Sequence, residues 1–143
     1  MQMHASCVAR GGAGVLLLGL SGSGKSDLAL RLIDRGFVLV ADDRVEIEAG
    51  IAWPPAPLAG LLEIRGLGIL RLPHLARATL ALAVELGADG DRLPRPQRHP
   101  GLDLPLIRLD SRRVSAAVLV SHALDCATGL RPTHAGAFGA AAP

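Results

Sequence analysis

The run Gly19-Leu20-Ser21-Gly22-Ser23-Gly24-Lys25-Ser26 has the residue types and spacing of a phosphate cradle. It fits G-x-x-x-x-G-K-[ST], in which each type has a physical task. Glycines adopt positive φ without a Cβ clash, so successive backbone N–H groups can turn toward one anion. A helix opening at the lysine adds the positive end of its dipole. Lys25 is then placed to reach the β- and γ-phosphates of ATP, and the Ser26 hydroxyl to coordinate Mg²⁺. Fourteen of the fifteen basic residues are arginine, and Lys25 is the single lysine. A compact ammonium suits a tight phosphate loop better than a planar guanidinium does.

Two further acidic features stand near this motif in sequence. Asp42-Asp43 directly follows the apolar run Phe37–Ala41. Carboxylates at the end of a strand beside a phosphate loop can supply oxygen ligands to magnesium or a base for an attacking hydroxyl. Adjacent residues on a continuing strand face opposite ways, so the two are expected to differ in role. Glu63 sits between Leu61-Leu62 and Ile64. A carboxylate in such an apolar run requires a partner, and a metal or Arg65 would serve.

The elements that must position these groups alternate between period 2 and period 3.6. Ser6–Arg10 reads as extended, Gly11–Gly14 as a turn and Val15–Leu18 as a buried strand feeding the glycine loop. Lys25–Arg35 reads as a helix with one stripe of Leu28, Ala29, Leu32 and Ile33, stopped by Gly36. Phe37–Ala41 is a second buried strand. Val45–Glu48 and Ile51–Trp53 flank a turn at Ala49-Gly50. Leu61–Ile64 and Leu67–Leu72 are extended around Gly66. Leu80, Leu82, Val84 and Leu86 alternate as a strand. Gly87–Leu104, rich in proline, glycine and charge, is expected to be a long loop, and loops of that length are often functional. Leu104–Leu109 is a last strand, and Ser111–Leu124 a helix with Asp110 or Ser111 as its N-cap. No internal repeat is present. Residues 1–126 are expected to form the domain. Residues 127–143, rich in glycine, alanine and proline from Thr128 onward, are expected to be a disordered tail.

Composition narrows the function classes. A length of 143 residues fits one domain with a substantial core. Two phenylalanines, one tryptophan and no tyrosine leave that core to aliphatic residues. They also supply no stacking platform for single-stranded nucleic acid. The net charge of +2 is spread without a basic stripe, so no nucleic-acid partner is expected. Cys7 and Cys126 are too few for a disulfide scaffold and lack zinc spacing. The N-terminus lacks the pattern of a signal peptide, and Val15–Leu20 is far too short to cross a bilayer. A cytoplasmic protein without membrane contact is the expectation.

These segments together resemble the catalytic domain of HPr kinase/phosphorylase. The resemblance rests on His4, the Gly-Leu-Ser-Gly-Ser-Gly-Lys-Ser loop, Asp34–Val45, and Glu63-Ile64-Arg65-Gly66-Leu67-Gly68-Ile69, with Asp91-Arg92-Leu93 similar to a further family segment. It implies an α/β, P-loop-containing fold similar to phosphoenolpyruvate carboxykinase, with a mixed β-sheet core and flanking helices. It implies ATP and Mg²⁺ as cofactors, and transfer of phosphate to a serine of HPr, the phosphocarrier of the sugar phosphotransferase system. Reverse phosphorolysis would give pyrophosphate, and the assembly would be a hexamer. On matching positions, Lys25 and Ser26 keep the roles above and Glu63 becomes the second magnesium ligand. Asp43, with Asp42 as neighbour, takes the serine proton, and His4 and Arg92 belong to the catalytic site.

Two departures follow from the same resemblance. Many family members carry an additional N-terminal domain that this short form lacks, which implies a different regulatory setting. The family loop linked to phosphorolysis is basic and of Pro-Gly-Arg-Asn type. Its nearest match here is His99-Pro100-Gly101-Leu102-Asp103, without an arginine after the glycine. Kinase activity is therefore expected to outweigh phosphorylase activity. The rival readings are a small-molecule kinase on the same scaffold and a nucleotide-gated regulatory module without transfer activity.

Overall fold

The structure, a computed structural model, describes residues 1–139. Ten strands and two helices follow one another: β1 (Gln2–Met3), β2 (Ser6–Arg10), β3 (Ala13–Leu18), α1 (Lys25–Asp34), β4 (Val38–Ala41), β5 (Val45–Glu48), β6 (Ile51–Trp53), β7 (Leu61–Ile64), β8 (Gly68–Arg71), β9 (Ala78–Leu86), β10 (Leu106–Leu109) and α2 (Ala116–Ala127). A single 3₁₀ turn, Ala56–Leu58, joins β6 to β7.

Eight strands form one mixed sheet, seven of them in the order β1-β5-β6-β9-β3-β2-β4 and the eighth, β10, beside β9. β10 pairs in parallel with the second half of β9, along the edge whose first residues, Ala78 and Thr79, are taken by β6. β3 and β9 are parallel neighbours at the centre, and β2 runs antiparallel to both β3 and β4. The C-terminal ends of β3, β9 and β10 therefore lie side by side. In open α/β sheets that end is where ligands bind.

Strand alternation divides the core in two. Val15 and Leu17 of β3 join Val8, Leu82, Val84, Leu86, Ile107 and Leu109 under the two helices. Leu16 and Leu18 face the other way, packing with Cys7, Ala9 and Val40. The sheet curls, so that Val45, Ile47 and Ala52 join this second cluster. Every side chain from Val15 to Leu18 is buried, which is why β3 reads as a continuous apolar run. α1 buries Leu28, Ala29 and Leu32, with Ile33, the fourth residue of the stripe expected from sequence, partly buried against the same cluster; each leucine contributes about 1.5–3 kcal/mol by its burial.

Three local readings are corrected. The turn before β3 is only Gly11-Gly12, and the strand begins at Ala13. The residues Leu80, Leu82, Val84 and Leu86 do not share a face. The β3 register slips between Gly14, opposite Leu80, and Val15, opposite Leu82. This bulge turns Leu80 into the second cluster while the other three stay under the helices. Finally, α2 begins at Ala116 rather than Ser111. The Asp110 carboxylate accepts the Arg112 backbone N–H at 2.9 Å, closing a local turn that competes with helix.

The expected tail starts inside this architecture. Ala127 is the last residue of α2, 128–139 form turns and bends, and Ala137 and Phe138 pack against the core cluster under the helices. Residues 140–143 of the expected tail lie outside the described residues.

Candidate active site

β3 delivers the chain to the phosphate loop at Gly19, and α1 takes it up at Lys25. The first helical bond runs from Leu28 N to Gly24 O at 2.9 Å. Gly24 has φ +94°, and a Cβ there would collide with Ser111 Oγ. Glycine is therefore required both by backbone conformation and by the close approach of a distant segment. Lys25 is buried, and its Nζ donates to Gly19 O at 2.8 Å and Leu20 O at 3.0 Å. Burial lowers its affinity for the proton, and the nearby Asp43 and Asp42 carboxylates oppose that shift.

The two aspartates part company at the end of β4. Asp42 is buried, and its Oδ1 accepts both Ser26 Oγ and Ser6 Oγ at 2.7 Å. Asp43 adopts a left-handed φ of 66°, a conformation that aspartate tolerates better than most residues. A tight turn, Arg44 N to Asp42 O at 2.7 Å, and the bond from Ala5 N to Asp43 O at 3.1 Å hold it there. The Asp43 side chain consequently leaves the core, and its Oδ1 lies 2.6 Å from His4 Nε2. The expected difference in role is present, but a turn at Asp43 produces it instead of a continuing strand.

Glu63 comes from a separate two-stranded sheet, in which β7 and β8 pair antiparallel with Glu63 opposite Ile69. Leu62 points into the protein and Glu63 is exposed. Among the described residues Glu63 has no ion-pair partner, so of the two partners the sequence offered, a metal or Arg65, the arginine is not taken. Both side chains instead line one cavity of about 420 Å³, together with His4, Ser21, Gly22, Gly24, Lys25, Ser26 and Asp43.

Residues from four sequence regions are thus brought to one place. Asp42 stands behind this wall and holds Ser26. Gly19, Leu20 and Ser23 complete the loop without lining the cavity. Arg92 is not brought in. It is exposed in the segment after β9 and lines neither this cavity nor a second one beside Ser111 and Arg112. The His99–Asp103 loop is also elsewhere, closed on itself by His99 Nδ1, which accepts the N–H groups of Gly101 and Leu102 at 3.1 and 3.2 Å.

Two participants were missed from sequence. Ser6 donates to Asp42 and accepts the Asp43 N–H at 3.4 Å, so it touches both acids. Its signal was a hydroxyl inside the otherwise apolar run Ala5–Ala9. Ser111 Oγ donates to Ser23 O at 2.7 Å and pins the loop from beyond β10. Nothing local marks it.

The donor set fits magnesium. Among the described residues no three His, Cys, Asp or Glu side chains converge as a metal site. Mg²⁺ does not need such a cage, since it keeps several waters and takes one or two carboxylates plus substrate phosphates. The Ser26 hydroxyl and the Asp43 and Glu63 carboxylates on one cavity wall are hard oxygen donors of that kind.

Residues 1–78 match the model of the HPr Serine kinase C-terminal domain. The chain belongs to the HPr serine kinase C-terminal domain family. Among curated relatives it is 43% identical to the HPr kinase/phosphorylase of Bacillus licheniformis over 98 residues, which cover 59% of this chain and 32% of that protein. It is 49% identical to the Listeria welshimeri HPr kinase/phosphorylase over 80 residues, or 52% of this chain and 26% of that one. The chain therefore spans about a third or less of the length of these relatives. Among solved structures, the Hpr(Ser) kinase/phosphatase from Coxiella burnetii superposes with a TM-score of 0.72 at 25% identity, covering 91% of each chain. The mixed sheet, the phosphate loop and the two helices are thus those of the P-loop, phosphoenolpyruvate carboxykinase-like HPr kinase fold.

Proposed function

We propose that this chain is an ATP-dependent serine kinase acting on an HPr-type phosphocarrier protein, and so regulates carbohydrate metabolism through the sugar phosphotransferase system. One observation carries the reading: Lys25, Ser26, Asp43, His4 and Glu63 line a single cavity beside a glycine loop at the N-terminus of α1. The loop N–H groups and the helix dipole hold the triphosphate. Lys25, drawn from its carbonyl partners, neutralises charge on the transferring phosphoryl group. Asp43 accepts the serine proton and orients the hydroxyl in line, and His4, 2.6 Å from it, fixes the direction of that carboxylate. Ser26, Glu63 and the acidic pair would hold Mg²⁺, and the ion would supply positive charge to offset that of the phosphates.

A protein substrate fits the open form of the site, since His4, Ser21, Asp43 and Glu63 are all exposed. A small-molecule kinase would need a closed pocket around the acceptor. No helix among the described residues is long and apolar enough to cross a membrane. A cytoplasmic location and a homo-oligomer, hexameric as the family resemblance implies, complete the reading.

The test is incubation with γ-labelled ATP, Mg²⁺ and HPr from the same organism. Label should appear on a serine of HPr. Lys25→Ala and Asp43→Asn should each lower the rate by at least about 10²-fold, the usual worth of a positioned acid–base or charge-stabilising group. Absence of transfer by the wild type, or a normal rate for Asp43→Asn, would overturn it.

A further inference from the structure

Ser6 begins β2 with no exposed surface, between Ala5 and Cys7, which are equally buried. A hydroxyl sealed from water costs free energy unless it is hydrogen-bonded, and an alanine would fill an apolar core here without that demand. We infer that Ser6 is a positioning residue that aims the Asp43 carboxylate, an inference that rests on the kinase reading above.

The argument begins with the grip on Asp43. Three consecutive residues at the start of β2 hold three different groups of this aspartate. His4 Nε2 lies 2.6 Å from its carboxylate. Ala5 N donates to its carbonyl at 3.1 Å. Ser6 Oγ accepts its N–H at 3.4 Å. Asp43 stands at φ 66°, where a residue other than glycine stays only if its surroundings impose the conformation. Ala5 and Ser6 impose it from both sides, since they take the carbonyl and the N–H. The direction of the side chain follows from that backbone: on a continuing strand the carboxylate would point elsewhere.

The Ser6 proton serves the other acid. Ser6 Oγ donates to Asp42 Oδ1 at 2.7 Å, and Ser26 Oγ donates to the same oxygen at 2.7 Å. A hydroxyl that gives its proton to a carboxylate becomes a better acceptor for the N–H behind it. The Asp43 N–H, the Ser6 hydroxyl, the Asp42 carboxylate and the Ser26 hydroxyl thus form one chain of bonds. It ties the group that takes the serine proton to the first turn of α1 beside the phosphate loop. With alanine at residue 6, Asp42 keeps Ser26, so the phosphate side stays in place. The Asp43 N–H loses its acceptor, and the turn that aims the carboxylate is free to relax.

Ser6→Ala and Ser6→Thr are to be compared with the wild type in steady-state transfer to HPr and in the proton–carbon correlation spectrum of the imidazole rings. In Ser6→Ala, kcat should fall at least about tenfold while KM for ATP stays within about twofold. The His4 signal, assigned with His4→Gln, should move toward its position in Asp43→Asn, and the other four of the five histidines should stay in place. Ser6→Thr keeps the hydroxyl on a side chain suited to a strand, so both readings should stay near the wild type. An unmoved His4 signal in Ser6→Ala, a rise in KM for ATP as large as the loss in kcat, or equal losses in the two variants would overturn the inference. Failure of the kinase reading is distinct: the wild type would then transfer no phosphate, while the His4 signal still moved in Ser6→Ala and upheld the hold on Asp43.

Discussion

Ser111 Oγ donates a hydrogen bond to Ser23 O at 2.7 Å, joining residues 88 apart in sequence. Arg31 Nη2 donates to Ser111 O at 2.6 Å from the face of α1. The phosphate loop is thus held from outside as well as by its own glycines. In Ser111→Ala the Ser23 carbonyl loses its partner, at a cost of about 1–3 kcal/mol. The expected result is ATP affinity weakened roughly 5- to 150-fold, with little change in the rate of bound substrate, since no reacting atom is touched. Equal loss in KM and kcat, or none, would show that the loop does not depend on this bond.

Gly24→Ala tests the same approach from the other side. The added Cβ runs into Ser111 Oγ, and φ +94° is itself strained for alanine. Collision and strain together should weaken ATP binding by about 100-fold. Combining it with Ser111→Ala removes the Oγ collision and leaves the strain and a tight 3.0 Å approach to the residue 111 Cβ, so the double variant should bind ATP better than Gly24→Ala alone. A double variant that is simply the sum of the two losses would mean that Ser111 does not press on the loop.

What was legible in the sequence was local. The loop, α1 and its stripe follow from glycine, lysine and a 3.6 period within twenty residues. The hairpins around Ala49-Gly50 and Gly66 were marked by their own turn residues. What was hidden depends on distant partners or on features without a chemical mark. Ser6 matters only because Asp42 is folded against it, 36 residues later. The bulge that turns Leu80 away lies opposite Gly14, but nothing local in the sequence ties that glycine to β9. The start of α2 was misread because aspartate caps a helix and closes a turn with the same oxygen. Arg92 was assigned by resemblance alone, and in the structure it lies off both cavities.

Cys7 gives a pH prediction of definite sign. It is fully buried on β2, and burial pushes its thiol up to about 12 from the usual 9.0. Above pH 9 the unfolded chain loses this proton while the folded chain keeps it, so stability falls as pH rises through this window. The loss should reach about 1.4 kcal/mol by pH 10. Lys25, held below its ordinary value, acts in the opposite direction. Comparison of urea midpoints at pH 8 and pH 10 for the wild type and Cys7→Ala cancels that contribution. The wild type should lose more stability over this interval. Equal losses would refute a buried, protonated Cys7, as would rapid native-state alkylation of Cys7 ahead of the half-buried Cys126.

The reverse reaction should be weak. Phosphorolysis requires inorganic phosphate to be held beside phosphoserine, which needs positive charge near Asp43. The cavity supplies Lys25, committed to two loop carbonyls, and Arg65 on the β7–β8 turn. The His99–Asp103 loop adds nothing there. It contains no arginine, the preceding Arg98 pairs with Asp103 at 2.7 Å, and neither lines the cavity. Pyrophosphate release from phosphoserine-HPr should therefore be at least about tenfold slower than forward transfer at equal enzyme. Phosphate should saturate poorly, and Arg65→Ala should slow the reverse reaction more than the forward one, because only the reverse reaction must capture a free dianion. Robust release at low phosphate, or equal effects of Arg65→Ala in both directions, would mean that the anion is held by a group other than this arginine.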